Sequence, residues 1–306
     1  MQIIGYDKPL YILPFDHRAI FATELFGYSF VKELNEVERH QIKEFKMLIY
    51  KGFKKALEKG IPTEYGAILC DEEFGEEVLI DARQNGFLTI LTTEKSGEQE
   101  FKFQYPDSFE DHIEKIHPNF TKVLIKYNPV DSKESKDSQK KNLKILSDYS
   151  HDKGFKFLLE VLVIPTSDQL LEVTGREEFD TKLRSNLTVE VILDLQDFGI
   201  EPDVWKLEGF ETKEDFAKVI EVIKREKREK VGLVILGRGA KEEKVEEWLK
   251  IGSRAPGVIG FAVGRTVFWD VIERFYRQKA GKAEVIETVA NNFYHFFEVF
   301  TKKEVI

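Results

Sequence analysis

Two charged residues stand inside runs that otherwise read as buried strands: Lys206 in Asp203-Val-Trp-Lys-Leu-Glu-Gly209 and Glu160 in Phe157-Leu-Leu-Glu-Val-Leu-Val163. Either charge is expensive in a strand interior unless it is paired or neutralised. Burial disfavours a charged amine and exposes its lone pair, so a strand-borne lysine is a candidate Schiff-base nucleophile. The competing reading is a salt bridge from Lys206 to Glu208, or a side chain that reaches solvent past the strand end. Other charges sit at the ends of similar runs: Asp16, His17 and Arg18 after the first, Asp71-Glu-Glu73 after the second, and Lys122 and Lys126 in the fourth. The last two runs end in Leu236-Gly-Arg-Gly-Ala240 and Val263-Gly-Arg-Thr266. Glycine lets backbone approach a ligand and arginine clamps phosphate, so Gly237, Arg238, Gly239, Gly264 and Arg265 form a candidate phosphate site.

Plainer roles exist for several of these residues. Asp16 suits a helix cap, His17 a hydrogen-bonded histidine, and Asp71, Glu72 and Glu73 a solvated turn or a charge cluster at a helix start. Asp16, His17 and Asp71 do not follow a recognised ligand spacing, and no metal is expected. His40, His112, His117, His151 and His295 have no nucleophile beside them in the chain, and Cys70 reads as a small buried hydrophobe. No Gly-x-Ser-x-Gly elbow, phosphate-loop motif or dinucleotide fingerprint occurs, which removes support for serine hydrolase, kinase and dinucleotide-enzyme readings.

The elements that would position these groups follow from hydrophobic patterning. Eight short apolar runs read as strands: Pro9 to Phe15, Ala67 to Cys70, Leu88 to Leu91, Lys122 to Tyr127, Lys156 to Val163, Asp203 to Leu207, Gly232 to Leu236 and Val258 to Val263. Amphipathic patterns lie between most of them: Glu44 to Glu58, Glu76 to Gln84, Gln139 to Lys153, Leu183 to Phe198, Lys213 to Lys227 and Glu242 to Ile251. Helices over Thr266 to Gln278 and Ala283 to Phe300 follow the last strand. Eight strands joined by crossovers predict an α/β fold, a single-domain (β/α)8 TIM barrel over residues 1–306, rather than an open doubly wound sheet. Long segments after strands one and three, Arg18 to Arg39 and Thr93 to Ser108, are candidate lids at the C-terminal face, where barrel active sites are built. The aromatic final helix, Phe293-Tyr-His-Phe-Phe-Glu-Val-Phe300, is expected to cover the barrel, with a homo-oligomer interface as its alternative use.

The chain has 306 residues, 42% hydrophobic and 33% charged, with a net charge of -9. That balance describes a soluble globular protein and opposes general nucleic-acid binding. The start Met1-Gln-Ile-Ile-Gly-Tyr-Asp-Lys8 lacks a signal-peptide pattern, one cysteine precludes an intrachain disulfide, and no run is long enough to span a membrane. A cytoplasmic location is expected, with no nucleic-acid or membrane partner.

Taken together, Pro9 to Arg18, Ile68 to Gly75, Glu94-Lys-Ser-Gly97, Lys122 to Pro129, Pro202 to Gly209, Leu236 to Ala240 and Gly260 to Thr266 resemble the aldolase-like domain fused to the C-terminus of 5-dehydro-2-deoxygluconokinase in some bacteria. The resemblance spans nearly the whole chain. More distantly the chain is similar to class I tagatose-1,6-bisphosphate aldolase, a (β/α)8 enzyme whose strand-six lysine forms a Schiff base. The resemblance implies Lys206 as that lysine, Glu160 as the proton shuttle, Lys122 as a neighbouring cation, Asp16 as the group that orients or deprotonates a substrate hydroxyl, and Gly264-Arg265 as a phosphate site. Arg18 and Asp71 complete the expected substrate-binding set. The implied substrate is 2-deoxy-5-keto-gluconate 6-phosphate, cleaved to dihydroxyacetone phosphate and malonate semialdehyde without metal or organic cofactor. The kinase half has no counterpart in these residues, so sugar phosphorylation is not expected of them. Ketose bisphosphates and sulfo-sugar phosphates are alternatives within the class, and a silent sugar-phosphate-binding barrel is the alternative outside it.

Overall fold

The computed structural model describes residues 4–302; residues 1–3 and 303–306, which belong to the expected 1–306 domain, lie outside the described residues. Eight parallel strands close into a barrel in sequence order: β1 (Leu10–Pro14), β2 (Gly66–Cys70), β3 (Leu88–Thr92), β4 (Phe120–Tyr127), β5 (Lys156–Val163), β6 (Val204–Glu208), β7 (Gly232–Leu236) and β8 (Val258–Ala262). Pairing of Leu10 with Gly260 and Ile12 with Ala262 joins the first strand to the last. The expected (β/α)8 barrel is therefore the fold.

Around it lie α1 (Glu36–Glu58), α2 (Glu72–Gln84), α3 (Phe109–Ile116), α4 (Lys133–Asp152), α5 (Ser167–Glu172), α6 (Gly175–Glu178), α7 (Arg184–Asp197), α8 (Lys213–Ile223), α9 (Glu242–Gly252), α10 (Arg265–Tyr276) and α11 (Lys282–Thr301). None of the helices among the described residues is long and apolar enough to cross a membrane. Several helices begin earlier than their apolar period suggests, because capping chemistry sets their starts. Asn35 accepts from Val37 N at 2.9 Å and Glu38 N at 3.0 Å, while Glu38 accepts from Asn35 N at 2.8 Å. This reciprocal box starts α1 at Glu36, about two turns before the amphipathic pattern expected from Glu44. Conversely, α8 stops at Ile223 rather than Lys227, as Glu226 and Lys227 adopt φ of 53° and 69° in the left-handed region. Sequence patterning missed α3, α5 and α6: α3 is amphipathic through Phe109, Ile113 and Ile116 but only 8 residues long, and α5 and α6, of 6 and 4 residues, are too short to carry a period.

Because side chains alternate across a strand, the barrel sorts its residues into two shells. Leu10, Ile12, Ala67, Leu69, Ile90, Phe120, Leu158, Val204, Val234 and Ala262 pack inside it. The alternate positions, such as Tyr11, Leu13, Val123, Leu159 and Trp205, face the helices in a larger core. The terminal helix α11 belongs to that outer core: Phe293 and Phe296 are buried, and Tyr11 meets the rings of Phe297 and Phe300 at 5.0 and 6.1 Å. Its aromatic face covers the barrel, as expected.

The N-terminal end of the barrel is tied by Asp203, which directly precedes β6. Its fully buried carboxylate accepts from Gly5 N at 2.7 Å, Phe157 N at 2.8 Å, Lys156 Nζ at 2.8 Å and His151 Nε2 at 3.0 Å. Burial opposes the charge, but His151, Lys156 and the Phe157 amide hold the carboxyl below its ordinary value. An Asp203→Ala variant leaves the buried Gly5 and Phe157 amides without this acceptor. We expect it to lower unfolding free energy by about 3 kcal/mol, measured by denaturant titration, and a loss within error of zero would refute this account of the end.

Candidate active site

The same alternation that fills the barrel interior carries chemistry upward along it. Continuing the inner positions in steps of two residues leads from Ile90 to Thr92 and on to Glu94, from Phe120 to Lys122, from Leu158 to Glu160 and from Val204 to Lys206. Glu160 and Lys206 are direct register partners on β5 and β6. With Asp16, just past β1, these groups line a cavity of about 350 Å³ at the C-terminal end of the strands. Leu124, Leu162 and Ala262 form apolar wall, and both long segments contribute to the rim, through Arg18 to Ile20 and Lys95 to Phe101.

Five charges share one connected network. Lys206 Nζ lies 2.8 Å from Glu160 Oε2, which is also 3.1 Å from Lys122 Nζ. Lys122 Nζ in turn donates to Asp16 Oδ2 at 2.9 Å and to Glu94 Oε1 at 2.6 Å, and Thr92 Oγ1 donates to the same Asp16 oxygen at 2.6 Å. The partner of Lys206 is therefore Glu160; Glu208, the partner weighed from sequence, binds Arg238 instead. Burial opposes all of these charges, and the network decides which survive. Against it, Lys122, His17 and Lys206 hold Asp16 well below the usual carboxylate range, with the Thr92 hydrogen bond assisting. Lys206 and Lys122 overcome it to lower Glu160, and Asp16, Glu94 and Glu160 overcome it to raise Lys122. At Glu94 burial prevails, aided by Asp16, and the carboxyl lies above its ordinary value despite Lys122.

His17 also lines the cavity, edge-on to Phe268, with its buried Nδ1 unpartnered. Burial, together with Arg265, Lys206 and Lys46, brings its imidazole down to about 4 against the pull of Asp16, so it is neutral near pH 7. Arg18 is buried and donates Nη1 to Gln104 Oε1 at 2.9 Å and Nη2 to the Glu94 carbonyl. Its guanidinium thus fastens the segment after β1 to the segment after β3. That second segment is a hairpin-like arm, with Glu94 bridged to Phe103 and Lys95 N donating to Lys102 O at 2.8 Å.

At the opposite rim stand the two Gly-Arg turns. Gly264 passes so close to β1 that a Cβ would lie 2.2 Å from the Pro14 carbonyl oxygen. Gly239, at φ +70°, leaves room for Arg265, whose Nη2 would meet a Cβ at 2.2 Å and instead donates to the Arg238 carbonyl at 3.0 Å. Arg265 opens α10, so its guanidinium and the positive end of that helix face the same cavity. Arg238 lines the cavity too, but its guanidinium is taken by Glu208 and by Asp180 at 3.1 Å. Its contribution to the rim is a turn of backbone rather than a free cation.

Of the residues singled out from sequence, Lys206, Glu160, Lys122, Asp16, Arg18, Gly237, Arg238, Gly239, Gly264 and Arg265 all line this cavity. Asp71 is a correction. It lies outside the cavity lining, caps α2 through Phe74 N at 2.9 Å, and forms a buried ion pair with Lys46 of α1. The cap leaves it facing that helix and away from any ligand. Cys70 packs against Gly75, and burial raises its thiol, so it offers no thiolate. Sequence reading gave no role to Thr92, nor to Glu94 beyond its place in the segment Glu94-Lys-Ser-Gly97, although the alternation through Ile90 points inward at both. Asp180 lies in the segment between β5 and α7, where no periodic signal marked it. Among the described residues, Glu242, Glu246 and His295 bring ligand atoms within 4.8 Å of one another, on α9 and α11 outside the barrel, where His295 already contacts Glu246 at 2.8 Å.

No curated protein matches the chain. Solved structures do. One, from Corynebacterium glutamicum (Brevibacterium flavum), is 15% identical with a TM-score of 0.56, over 96% of this chain and 88% of that one. A fructose-bisphosphate aldolase from Slackia heliotrinireducens is 12% identical with a TM-score of 0.55, over 97% and 87%. The YdjI aldolase from Escherichia coli K12 is 12% identical with a TM-score of 0.52, over 84% and 88%. At these identities the likeness is one of fold. Residues 6–304, from the segment before β1 through the end of α11, match the family described as uncharacterized protein conserved in bacteria (DUF2090), and the chain belongs to that family.

Proposed function

We propose that this protein is a class I aldolase that cleaves a phosphorylated keto-sugar acid through an imine on Lys206. The observation that carries this reading is the Lys206 amine itself, 4% exposed inside the barrel, lining the cavity and held by Glu160 at 2.8 Å. The neutral amine attacks the ketose carbonyl carbon. Glu160, holding the proton that the Lys206 ammonium gave up on becoming neutral, delivers it to the carbinolamine hydroxyl, which leaves as water and yields a protonated imine. That cation accepts the electron pair of the bond between its α and β carbons as it breaks, and an enamine and an aldehyde result. Protonation and hydrolysis of the enamine release the ketone product and restore Lys206. Lys122 and Asp16 hold the polar groups of the sugar in register, and no step requires a metal or organic cofactor.

Charge at the two ends of the cavity supports the substrate class. Arg265 and the start of α10 lie at β8, with the Gly237-Arg238-Gly239 turn beside them, and suit a phosphate. Lys126 lines the cavity from β4, the strand across the closed barrel from β8, and suits a second anion. A keto-sugar acid phosphate carries one anion at each end. Within that class we favour 2-deoxy-5-keto-gluconate 6-phosphate, giving dihydroxyacetone phosphate and malonate semialdehyde, because of the resemblance to the aldolase-like domain of 5-dehydro-2-deoxygluconokinase. The same pair of cationic ends favours a ketose bisphosphate as the second reading.

Borohydride reduction in the presence of dihydroxyacetone phosphate, followed by peptide mass spectrometry, tests the chemistry. The expected result is a reduced adduct on the peptide carrying Lys206. Phosphate-sugar binding with no adduct there would leave the barrel as a binder and end the Schiff-base proposal.

A further inference from the structure

We infer that Glu94 is a catalytic residue of this site, the base that takes the proton from the substrate hydroxyl as the carbon-carbon bond breaks. The inference rests on the Schiff-base reading above and adds a group that reading does not use. Glu94 extends β3 on the inner face, where its Oε1 is 2.6 Å from Lys122 Nζ. Its Oε2 is buried within the cavity wall and has no hydrogen-bond partner. A buried carboxylate oxygen without a partner is unfavourable in the empty site, and a substrate hydroxyl satisfies it.

The other two carboxylates of the network each receive two donors, where Glu94 receives one. Glu160 Oε2 receives both Lys206 and Lys122, and it serves the carbinolamine. Asp16 Oδ2 receives both Lys122 and Thr92. The groups facing Glu94 are Lys122 from β4 and Asp16 and Arg18 from the end of β1, while Lys95 and Lys102 of its own hairpin turn to Glu98 at 3.2 and 3.1 Å. Arg18 donates to the Glu94 backbone carbonyl, which fixes where this carboxyl stands. Burial keeps the carboxyl above its ordinary value, so Glu94 is a better proton acceptor than Asp16 or Glu160, both of which are held low.

In the step itself, a Glu94 carboxylate oxygen removes the hydroxyl proton. The electron pair of that O–H bond becomes the second bond of the new aldehyde, the carbon-carbon pair moves toward the Lys206 iminium, and a neutral enamine forms. Glu94 then holds the proton and returns it to the aldehyde oxygen when the reaction runs toward condensation. Neither oxidant nor co-reactant is involved.

Two half-reactions separate this role from a structural one. Exchange of the dihydroxyacetone phosphate carbon-bound proton with deuterium oxide needs the imine and enamine but no aldehyde, whereas condensation with malonate semialdehyde needs Glu94 to return its proton to the aldehyde oxygen. In a Glu94→Gln variant we expect borohydride trapping and deuterium exchange at the wild-type rate, with condensation slowed by about 10²- to 10⁴-fold. Glu94→Asp is expected to recover part of the loss. Condensation by Glu94→Gln at the wild-type rate, or loss of exchange together with condensation, overturns the assignment while leaving Lys206 in place. Absence of an adduct on the wild-type protein instead removes the Schiff-base reading, and the Glu94 role with it.

Discussion

Lys206→Met is expected to abolish the borohydride-trapped adduct and to lower carbon-carbon cleavage by on the order of 10⁵-fold or more, the scale seen when a covalent nucleophile is removed. Methionine has nearly the length of lysine and no nitrogen to form the imine. The fold should survive the change, because Glu160 keeps Lys122 at 3.1 Å as its remaining cation, and an apolar side chain suits the barrel interior. Circular dichroism and thermal melting close to wild type, measured on the same preparation, separate loss of chemistry from loss of structure. Cleavage at a substantial fraction of the wild-type rate would falsify the covalent mechanism and point to another electron sink.

Lys122→Met is expected to act on stability as well as activity. Lys122 is 2% exposed and holds Asp16, Glu94 and Glu160 together, so its removal takes from Asp16 and Glu94 the ammonium that pairs with them directly. Breaking a buried ion pair from one side costs about 3–5 kcal/mol, which denaturant titration at neutral pH reads directly. The pH dependence carries the sign. In the wild-type protein the Lys122 value is raised on folding, so its contribution is complete below about pH 10.4 and lost as pH rises through the folded value. The Asp16 value is depressed, so its contribution is present above about pH 3.9 and lost as pH falls through the folded value. Without Lys122 the carboxyls protonate more readily, and the stability gap between variant and wild type should narrow on acidification below about pH 4. A gap that is constant from neutral to acid pH would show that the ion cluster does not couple to folding.

The barrel was readable because its two periods are strong. Every strand appears within two residues of its expected position, and β5 and β7 match at both ends, since runs such as Phe157 to Val163 are covered on both faces and stay apolar throughout. Helix starts were less readable: Asn35 and Asp71 cap through side chains, and a cap is a geometric event at one residue rather than a periodic signal. The same physics explains Asp71. In sequence it stands at a strand end like Asp16, but only packing of α1 against β2 brings Lys46 beside it and turns the carboxylate from the cavity to the helix.

What the amino-acid sequence determined by itself is the architecture and the two misplaced charges: eight apolar runs fix a closed parallel barrel, and alternation along β5 and β6 places Glu160 and Lys206 on its inner face. Tertiary structure alone decided who their partners are. Lys206 and Glu160 are 46 residues apart, and Lys122 and Asp16 are 106 apart, so their contacts exist only after the barrel closes. Closure also ties Arg238 to Asp180 and Glu208, leaves Arg265 facing the cavity, and brings Glu94 against Lys122 with one oxygen unpaired. Local pattern encodes which face a side chain takes; the charge that meets it there depends on the register and closure of strands far apart in the chain.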